Sequence, residues 1–428
     1  MSEWYHEFVD KTYTPSPEDL VCLFRLEPAA GFSIEEAAGR VASESSVGTW
    51  TEVTTMKPRI RKLMAKAYEI QGNLVKIAYP INLFELGSMP QIMSSIAGNI
   101  FGMKAVEHVR LEDVRWPKKL LASFKGPRLG PEGIRRLLRV KNRPLTATVP
   151  KPKLGLTAKE HAKVGYEAWM GGIDLLKDDE NLTSQPFNKF QERVTECFRL
   201  RDKAEHETGE RKSYLINITA ETIEMLRRAK AVARAGGEYV MVDILTCGWS
   251  SLQTVRDACD DLKLAIHAHR AFHAAFTRNR VHGISMLMVA DAARLIGVDQ
   301  LHIGTVIGKL ESPAEEVLAL RDDLQKRNVD AGPTMLGQDW GRIKPVFPVC
   351  SGGLHPGQMP ELLKLVGTGI IVQAGGGVWG HPDGGKAGAA ALRQAIDVSL
   401  KGGSIEEYAR DHSELRRALE TWGGATFK

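Results

Sequence analysis

The chain has 428 residues, 43% of them hydrophobic and 25% charged, with a formal net charge of +5. That balance is ordinary for a globular protein and excludes a disordered, collagenous or disulfide-scaffold chain, while the length exceeds one ordinary core and points to two domains. The longest apolar stretches, such as Ile284–Ala290, fall far short of a bilayer span, and Cys22, Cys197, Cys247, Cys259 and Cys350 show no CxxC spacing, so no membrane segment, disulfide framework or zinc ribbon is expected.

The opening MSEWYHEFVDK carries acidic residues and no apolar segment, unlike a secretory leader, and the expected location is a reducing cytoplasm. Residues 1–128 show no strand–helix repeat and read as a smaller α+β domain, with ESSVGTW (Glu44–Trp50) and SIAGNIFG (Ser95–Gly102) as turn-like interruptions of apolar surroundings. The basic stretch from Arg115 to Arg143 suggests a nucleic-acid patch, but its Leu and Ile spacing fits a helix with a solvated cationic face, so no nucleic-acid partner is expected.

Over 129–428 the pattern changes. Short β-rich runs at Leu145–Val149, Ile173–Leu176, Tyr214–Ile218, Tyr239–Ile244, Leu264–His267, Gln300–Ile303, Val346–Cys350 and Ile370–Gln373 alternate with helical stretches. Such alternation predicts parallel βα units, and eight of them predict a closed (β/α)8 barrel whose chemistry sits at the C-terminal strand ends. Lys151 and Lys153 follow the first run; Lys177, Asp179 and Glu180 follow the second; His269 and Arg270 follow the fifth. The sixth holds His302 and leads into GTVIGKLE with Lys309, the seventh ends in Ser351-Gly352-Gly353, and the eighth holds Gln373 and ends in Gly375-Gly376-Gly377.

Lys177, Asp179 and Glu180 suggest a metal site, because side chains alternate along a strand and hard carboxylate oxygens suit magnesium. An ammonium group has no lone pair to offer a cation, so Lys177 is either a counter-ion or an amine converted into an anion. Taken alone, the tetrapeptide also reads as a solvated turn. In HAHRAFH (His267–His273) a zinc cluster lacks a nearby carboxylate or cysteine, which favours one core and one catalytic histidine. GGGVWG (Gly375–Gly380) fits the GxGxxG template, yet it closes a barrel rather than opening a sheet and reads as a phosphate-binding backbone loop. After His302, Gly304 and Gly308 are candidate hinges, and a helix is expected from Ser312-Pro313 with Glu315 completing a capping box, which puts Lys309 on a lid.

The strings ESSVGTW, AYPINLFELGS, SIAGNIFG, RLEDVRWP, KPKLGL, GGIDLLKDDENLTSQPF, HAHRAFHAAFTR, HIGTVIGKLE, QDW, PVCSGGLHPGQMP and QAGGGVWGHP together resemble the large subunit of ribulose-1,5-bisphosphate carboxylase/oxygenase over nearly the whole chain. The resemblance implies that an activator CO2 carbamylates Lys177, and that the carbamate binds one Mg2+ with Asp179 and Glu180. It implies ribulose-1,5-bisphosphate, CO2 and O2 as substrates. Lys151 is then the acid/base of enolisation and final protonation, Lys153 a polarising group and His269 a further proton-transfer group. Arg270 and His302 resemble the grip on one phosphate, and Thr49, Trp50, Gly353, Gly375 and Gly376 the grip on the other, with Gly352 beside them. Ser351 resembles a contact to a sugar hydroxyl, Gln373 a neighbour of the glycine loop, and Lys309 the lid lysine that meets CO2. Glu44 and Asn99 resemble residues lent by the N-terminal domain of a partner, which implies a homodimer with shared sites and scope for higher homo-oligomers.

Where plant-type subunits read TIKPK, this chain reads Val149-Pro150-Lys151-Pro152-Lys153, and it stops soon after its last helix. Both features are similar to archaeal form III proteins, which work without small subunits and are associated with salvage of nucleotide-derived ribose phosphate. The rival readings are a carboxylase-like enolase of methionine salvage, a photosynthetic-type carbon-fixing enzyme and a non-catalytic assembly protein. The presence of Lys309, Lys151, His269, Asn99 and Thr49 argues against the enolase, and the loaded strand ends argue against the scaffold.

Overall fold

A computed structural model describes residues 3–307 and 313–423. Lys309, Gly308 and Ser312, and with them the expected lid and capping box, lie outside the described residues. The chain forms two compact units that no single cut separates: one is built from the residues up to Gly126 with Phe272–Ile296 and Lys326–Lys344, the other from Pro127–Ala271, Gly297–Gln325 and the residues from Pro345 onward.

In the second unit, eight strands among the described residues close into a parallel barrel: Leu145–Thr148, Leu175–Lys177, Ser213–Asn217, Tyr239–Asp243, Ala265–His269, Gln300–Gly304, Phe347–Ser351 and Ile371–Ala374. Closure comes from Ile371–Ala374 pairing with Leu145–Thr148. Every expected run becomes a strand, with ends that shift because pairing sets them. The fifth continues to His269, opposite Asp243, and the second runs to Lys177, opposite Leu215.

Period-2 alternation sorts these strands into an inner and an outer face. Leu145, Ala147, Leu175, Leu215, Tyr239, Met241, Ala265, Phe347, Val349 and Ile371 form one buried cluster inside the barrel, joined by Ile134 and Leu138. The last two lie on helix Gly130–Leu138, which therefore plugs the N-terminal mouth. The basic segment is two separate helices, Lys118–Ser123 and Gly130–Leu138, rather than one. Gly126, with φ +65°, and Pro127 interrupt it.

The first unit is built on a five-stranded sheet in the order Gly283–Ile284, Val106–Arg115, Leu20–Pro28, Leu74–Tyr79, Lys66–Gln71. Its pairs are antiparallel except the first. Helix Ile34–Glu44 starts in a Ser33/Glu36 capping box and ends at Glu44, while Asn99 opens the 3-10 turn Asn99–Gly102. Among the described residues no helix is long and apolar enough to cross a membrane.

Trp169, on helix Ala158–Met170, is fully buried and its Nε1 has no hydrogen-bond partner. Trp169→Ala should cost about 3–5 kcal/mol in urea unfolding. Trp169→Phe should cost much less, because it keeps most of the ring while removing an unsatisfied buried donor.

Candidate active site

At the end of the second barrel strand, alternation turns Lys177 into the barrel and Asp178 outward. Lys177 is entirely buried; its Nζ donates to the Asp178 carbonyl at 2.8 Å and lies 3.8 Å from Glu180 Oε2. Burial holds this amine below the usual lysine range. Asp178, also fully buried, accepts from Arg193 Nε at 3.2 Å, from the Asn217 N–H at 3.0 Å and from Tyr214 Oη, and His161 Nε2 lies 3.1 Å away. Burial pushes the Asp178 carboxyl up, but Arg193 and His161 outweigh it and bring its pKa down to about 2. The strand that carries Lys177 is thus pinned from outside the barrel.

The following turn is held just as closely. Asp179 Oδ1 accepts from the Asn181 N–H at 3.2 Å, Asp179 Oδ2 from Lys151 Nζ at 3.1 Å, and Asn217 Nδ2 donates to the Glu180 carbonyl at 3.1 Å. Lys151, from the end of the first strand, therefore stands beside the carboxylates, whereas Lys153 is exposed.

His269 faces the same place, with Nε2 3.7 Å from Glu180 Oε2. Its Nδ1 receives the Ala271 N–H at 3.2 Å and lies 2.8 Å from Asp243 Oδ1. A ring nitrogen that accepts an N–H carries no proton of its own, so Asp243 is the donor in this pair and Nε2 bears the ring proton. Burial pushes in the same direction on both partners, lowering His269 and raising Asp243 to about 7.

Arg270 is only 6% exposed, and within the chain the Glu316 carboxylate bears on its charge. Burial lowers its pKa to about 10, which leaves it charged at neutral pH. A cation this deeply buried is costly unless anions offset it. His302 Nδ1 lies 2.8 Å from Ser351 Oγ and its Nε2 lies 2.9 Å from His267 Nε2, so both ring nitrogens are engaged. After Ser351 the chain turns through Gly352 at φ +128° and Gly353 at φ +79°, conformations that favour glycine. At the eighth strand, Gln373 is buried with Oε1 unpartnered. A Cβ on Gly375 would come within 3.4 Å of Lys151 Cε, and one on Gly376 would meet nothing within 4 Å, so the backbone here borders open space.

Glu44 and Asn99, 55 residues apart, meet in the first unit, where Asn99 Nδ2 donates to Glu44 Oε1 at 3.1 Å. The Thr49 carbonyl accepts from Trp4 Nε1 at 3.1 Å, and Trp50 is 79% exposed. Sequence reasoning missed Asp243 and Asn217, which end the fourth and third barrel strands and find their partners only across strands. A cavity of about 570 Å³ lined by Arg143, Asp174, Arg211 and Arg393 contains none of the site residues; it lies at the opposite, N-terminal strand ends.

Among the described residues no three of His, Cys, Asp or Glu converge as a metal site. Two carboxylates and one amine do converge. That donor set suits a hard divalent cation once the amine carries an anionic oxygen group, and a buried amine held below its usual range is the form that reacts with CO2.

The fold and site define a (β/α)8 enzyme with an amine–carboxylate cradle and a buried arginine at its C-terminal rim. Residues 132–422 match the model of the ribulose bisphosphate carboxylase large chain catalytic domain, and residues 7–120 that of its N-terminal domain. The chain is 54% identical over 425 residues to the ribulose bisphosphate carboxylase of Pyrococcus furiosus, covering 98% of each chain. It is 51% identical over 428 residues to that of Methanocaldococcus jannaschii, covering 97% of this chain and 100% of the other. Among solved structures, the dimeric archaeal Rubisco from Hyperthermus butylicus superposes with a TM-score of 0.94 at 50% identity, covering 98% of this chain and 100% of that one. The octameric enzyme from Pyrococcus horikoshii superposes at 0.92 with 52% identity, covering 99% and 98%. The chain belongs to the ribulose bisphosphate carboxylase large chain family, and it is an enzyme of the carboxy-lyase class.

Arg193→Met should destabilise the protein by about 3–5 kcal/mol, because it strands the buried Asp178 charge. The native pKa of Asp178 is depressed below its ordinary value of 3.8, so its contribution, on the order of 2 kcal/mol, is present above about pH 4 and lost as the pH falls toward 2. Urea titrations between pH 2 and pH 7 should show this acid loss in the parent protein and a smaller one in the variant.

Proposed function

We propose that the chain is a ribulose-1,5-bisphosphate carboxylase with an oxygenase side reaction, which combines CO2, water and ribulose bisphosphate into two molecules of 3-phosphoglycerate. On this reading it is a form III enzyme of nucleotide-ribose salvage in the cytoplasm, at least a homodimer and without small subunits. The observation that carries the proposal is Lys177, an amine fully buried at a barrel strand end, 3.8 Å from Glu180 Oε2 and within the field of Asp179. The neutral form of that amine attacks CO2, gaining an N–C bond and releasing a proton to leave a carbamate. The carbamate, Asp179 and Glu180 would then hold Mg2+. When bound, the metal polarises the substrate's carbonyl oxygen and steadies the enolate charge.

The remaining steps rest on the chain's own groups. Lys151, now held by Asp179, takes and returns protons at the substrate carbons, and Lys153 polarises the substrate nearby. His269 presents an Nε2–H toward the carboxylates while Asp243 fixes the ring. Arg270 and His302 take one phosphate, and Thr49, Trp50, Gly353, Gly375 and Gly376 take the other. Lys309 stabilises the new carboxylate. Residues 1–128 of a partner lend Glu44 and Asn99 to the site, and their hydrogen bond in this structure supports a paired role.

The direct test is Mg2+-dependent fixation of labelled CO2 into 3-phosphoglycerate. Lys177→Ala should abolish both activity and its activation by bicarbonate; full activity would refute the carbamate. Lys309→Met should retain proton exchange at the substrate carbon but lose carboxylation, since no cation then meets the developing carboxylate. Glu44→Gln and Lys177→Ala should each be nearly inactive. Refolded together in equal amounts, about half the dimers are mixed and each holds one intact site, so activity should recover to about a quarter of the parent level. Mixed dimers proved by mass spectrometry yet inactive would show that Glu44 serves its own barrel.

A further inference from the structure

The glycine segments that follow the seventh and eighth barrel strands, Gly352-Gly353 and Gly375–Gly377, meet just beyond their ends. A Cβ on Gly377 would lie 2.2 Å from the Leu354 carbonyl oxygen and 2.7 Å from His355 Cα, so no side chain fits between the two backbones. The spacing of Gly353 from Gly375 and Gly376 is thus set by a direct contact of their chain neighbours. The last helix, Ser413–Trp422, then spans both segments. The Trp422 ring lies 6.1 Å from the His355 ring on the seventh-strand side and 6.4 Å, edge to face, from the His381 ring on the eighth-strand side. A Cβ on Gly380 would come within 3.3 Å of Trp422 Cζ2, and one on Gly357 within 3.3 Å of Leu419 Cδ2. Packing this close passes a displacement of the helix on to both segments.

Hydrogen bonds fasten the same helix. His381 is 4% exposed, and its Nδ1 accepts the Asp383 N–H at 3.1 Å. The ring proton is therefore on Nε2, which donates to the Glu414 carbonyl at 2.9 Å, in the first turn of the last helix. Gln394, on helix Gly384–Leu400, holds that turn from the other side: its Nε2 donates to Glu414 Oε2 at 3.1 Å, and its Oε1 accepts the Leu415 N–H at 3.2 Å. We propose that Trp422 and His381 are positioning residues for the phosphate taken by Gly353, Gly375 and Gly376. They clamp the two glycine segments at one separation, so that the backbone of both meets the same anion. The segments are ordered on folding, and binding the anion does not lose that entropy again. The clamp touches none of the proton-transfer groups, so it acts on substrate affinity and not on the chemical steps. The anion in this inference rests on the proposed carboxylase reading; the clamp does not.

The test uses the full chain and its variants Trp422→Ala and Trp422→Phe, with amide hydrogen exchange read by mass spectrometry beside steady-state kinetics. In Trp422→Ala, peptides covering 352–357 and 375–380 should exchange faster than in the parent, while the strand end at Lys177 exchanges as before. The KM for ribulose bisphosphate should rise roughly two- to tenfold, the worth of one hydrogen bond, with kcat little changed. Trp422→Phe keeps an aromatic ring between the two imidazoles and should stay close to the parent in both readouts. If Trp422→Ala does not fold, His381→Ala, which removes the tie to the first turn of the helix, carries the same expectation. Parent exchange in the glycine segments, faster exchange there with a parent KM, or a fall in kcat without a rise in KM would overturn the proposal. Loosened segments in Trp422→Ala beside a parent protein that does not turn over ribulose bisphosphate would refute the carboxylase reading instead.

Discussion

An amine that is fully buried must be neutral, paired or modified, and Lys177 imposes that choice on everything around it. The barrel strand that carries it places Asp178 on the opposite face, and there Arg193, His161, Tyr214 and Asn217 surround the carboxylate so completely that the strand end has no freedom to slide. A one-residue slip would put Asp178 inside and Lys177 among the helices. The same outer anchor that stabilises the barrel therefore sets the geometry of the cradle inside it, and stability and chemistry share a single register.

The rest of the rim reads as a division of labour between neutral and charged groups. Burial lowers His269 and raises Asp243, while Arg270 keeps its charge. Glycines at 352 and 353, with left-handed backbone, keep the neighbouring strand end free of side chains.

The barrel was legible in sequence because each of its strands is a short β-rich run bounded by helical periodicity, and the cradle because Lys177, Asp179 and Glu180 are adjacent in the chain. What escaped depended on contacts between strands. Asp243 and Asn217 look like ordinary strand-terminal residues until pairing sets them opposite His269 and behind the Glu180 carbonyl. The break between Lys118–Ser123 and Gly130–Leu138 was signalled by Gly126 and Pro127, and the Leu and Ile spacing masked it. Glu44 and Asn99, far apart in the chain, entered only through the family resemblance.

The sheet of the first unit has an edge strand, Gly283–Ile284, that lies well over a hundred residues after its neighbour Val106–Arg115, and Leu336 packs in its core with Val21, Leu23 and Ala78. During synthesis that unit stays unfinished until most of the barrel strands have left the ribosome, its outer strand unpaired and part of its apolar face uncovered. The two units are thus tied in time as well as in sequence: an N-terminal piece released early would present an open sheet edge, and completion of the first unit reports that the greater part of the barrel chain has already been made.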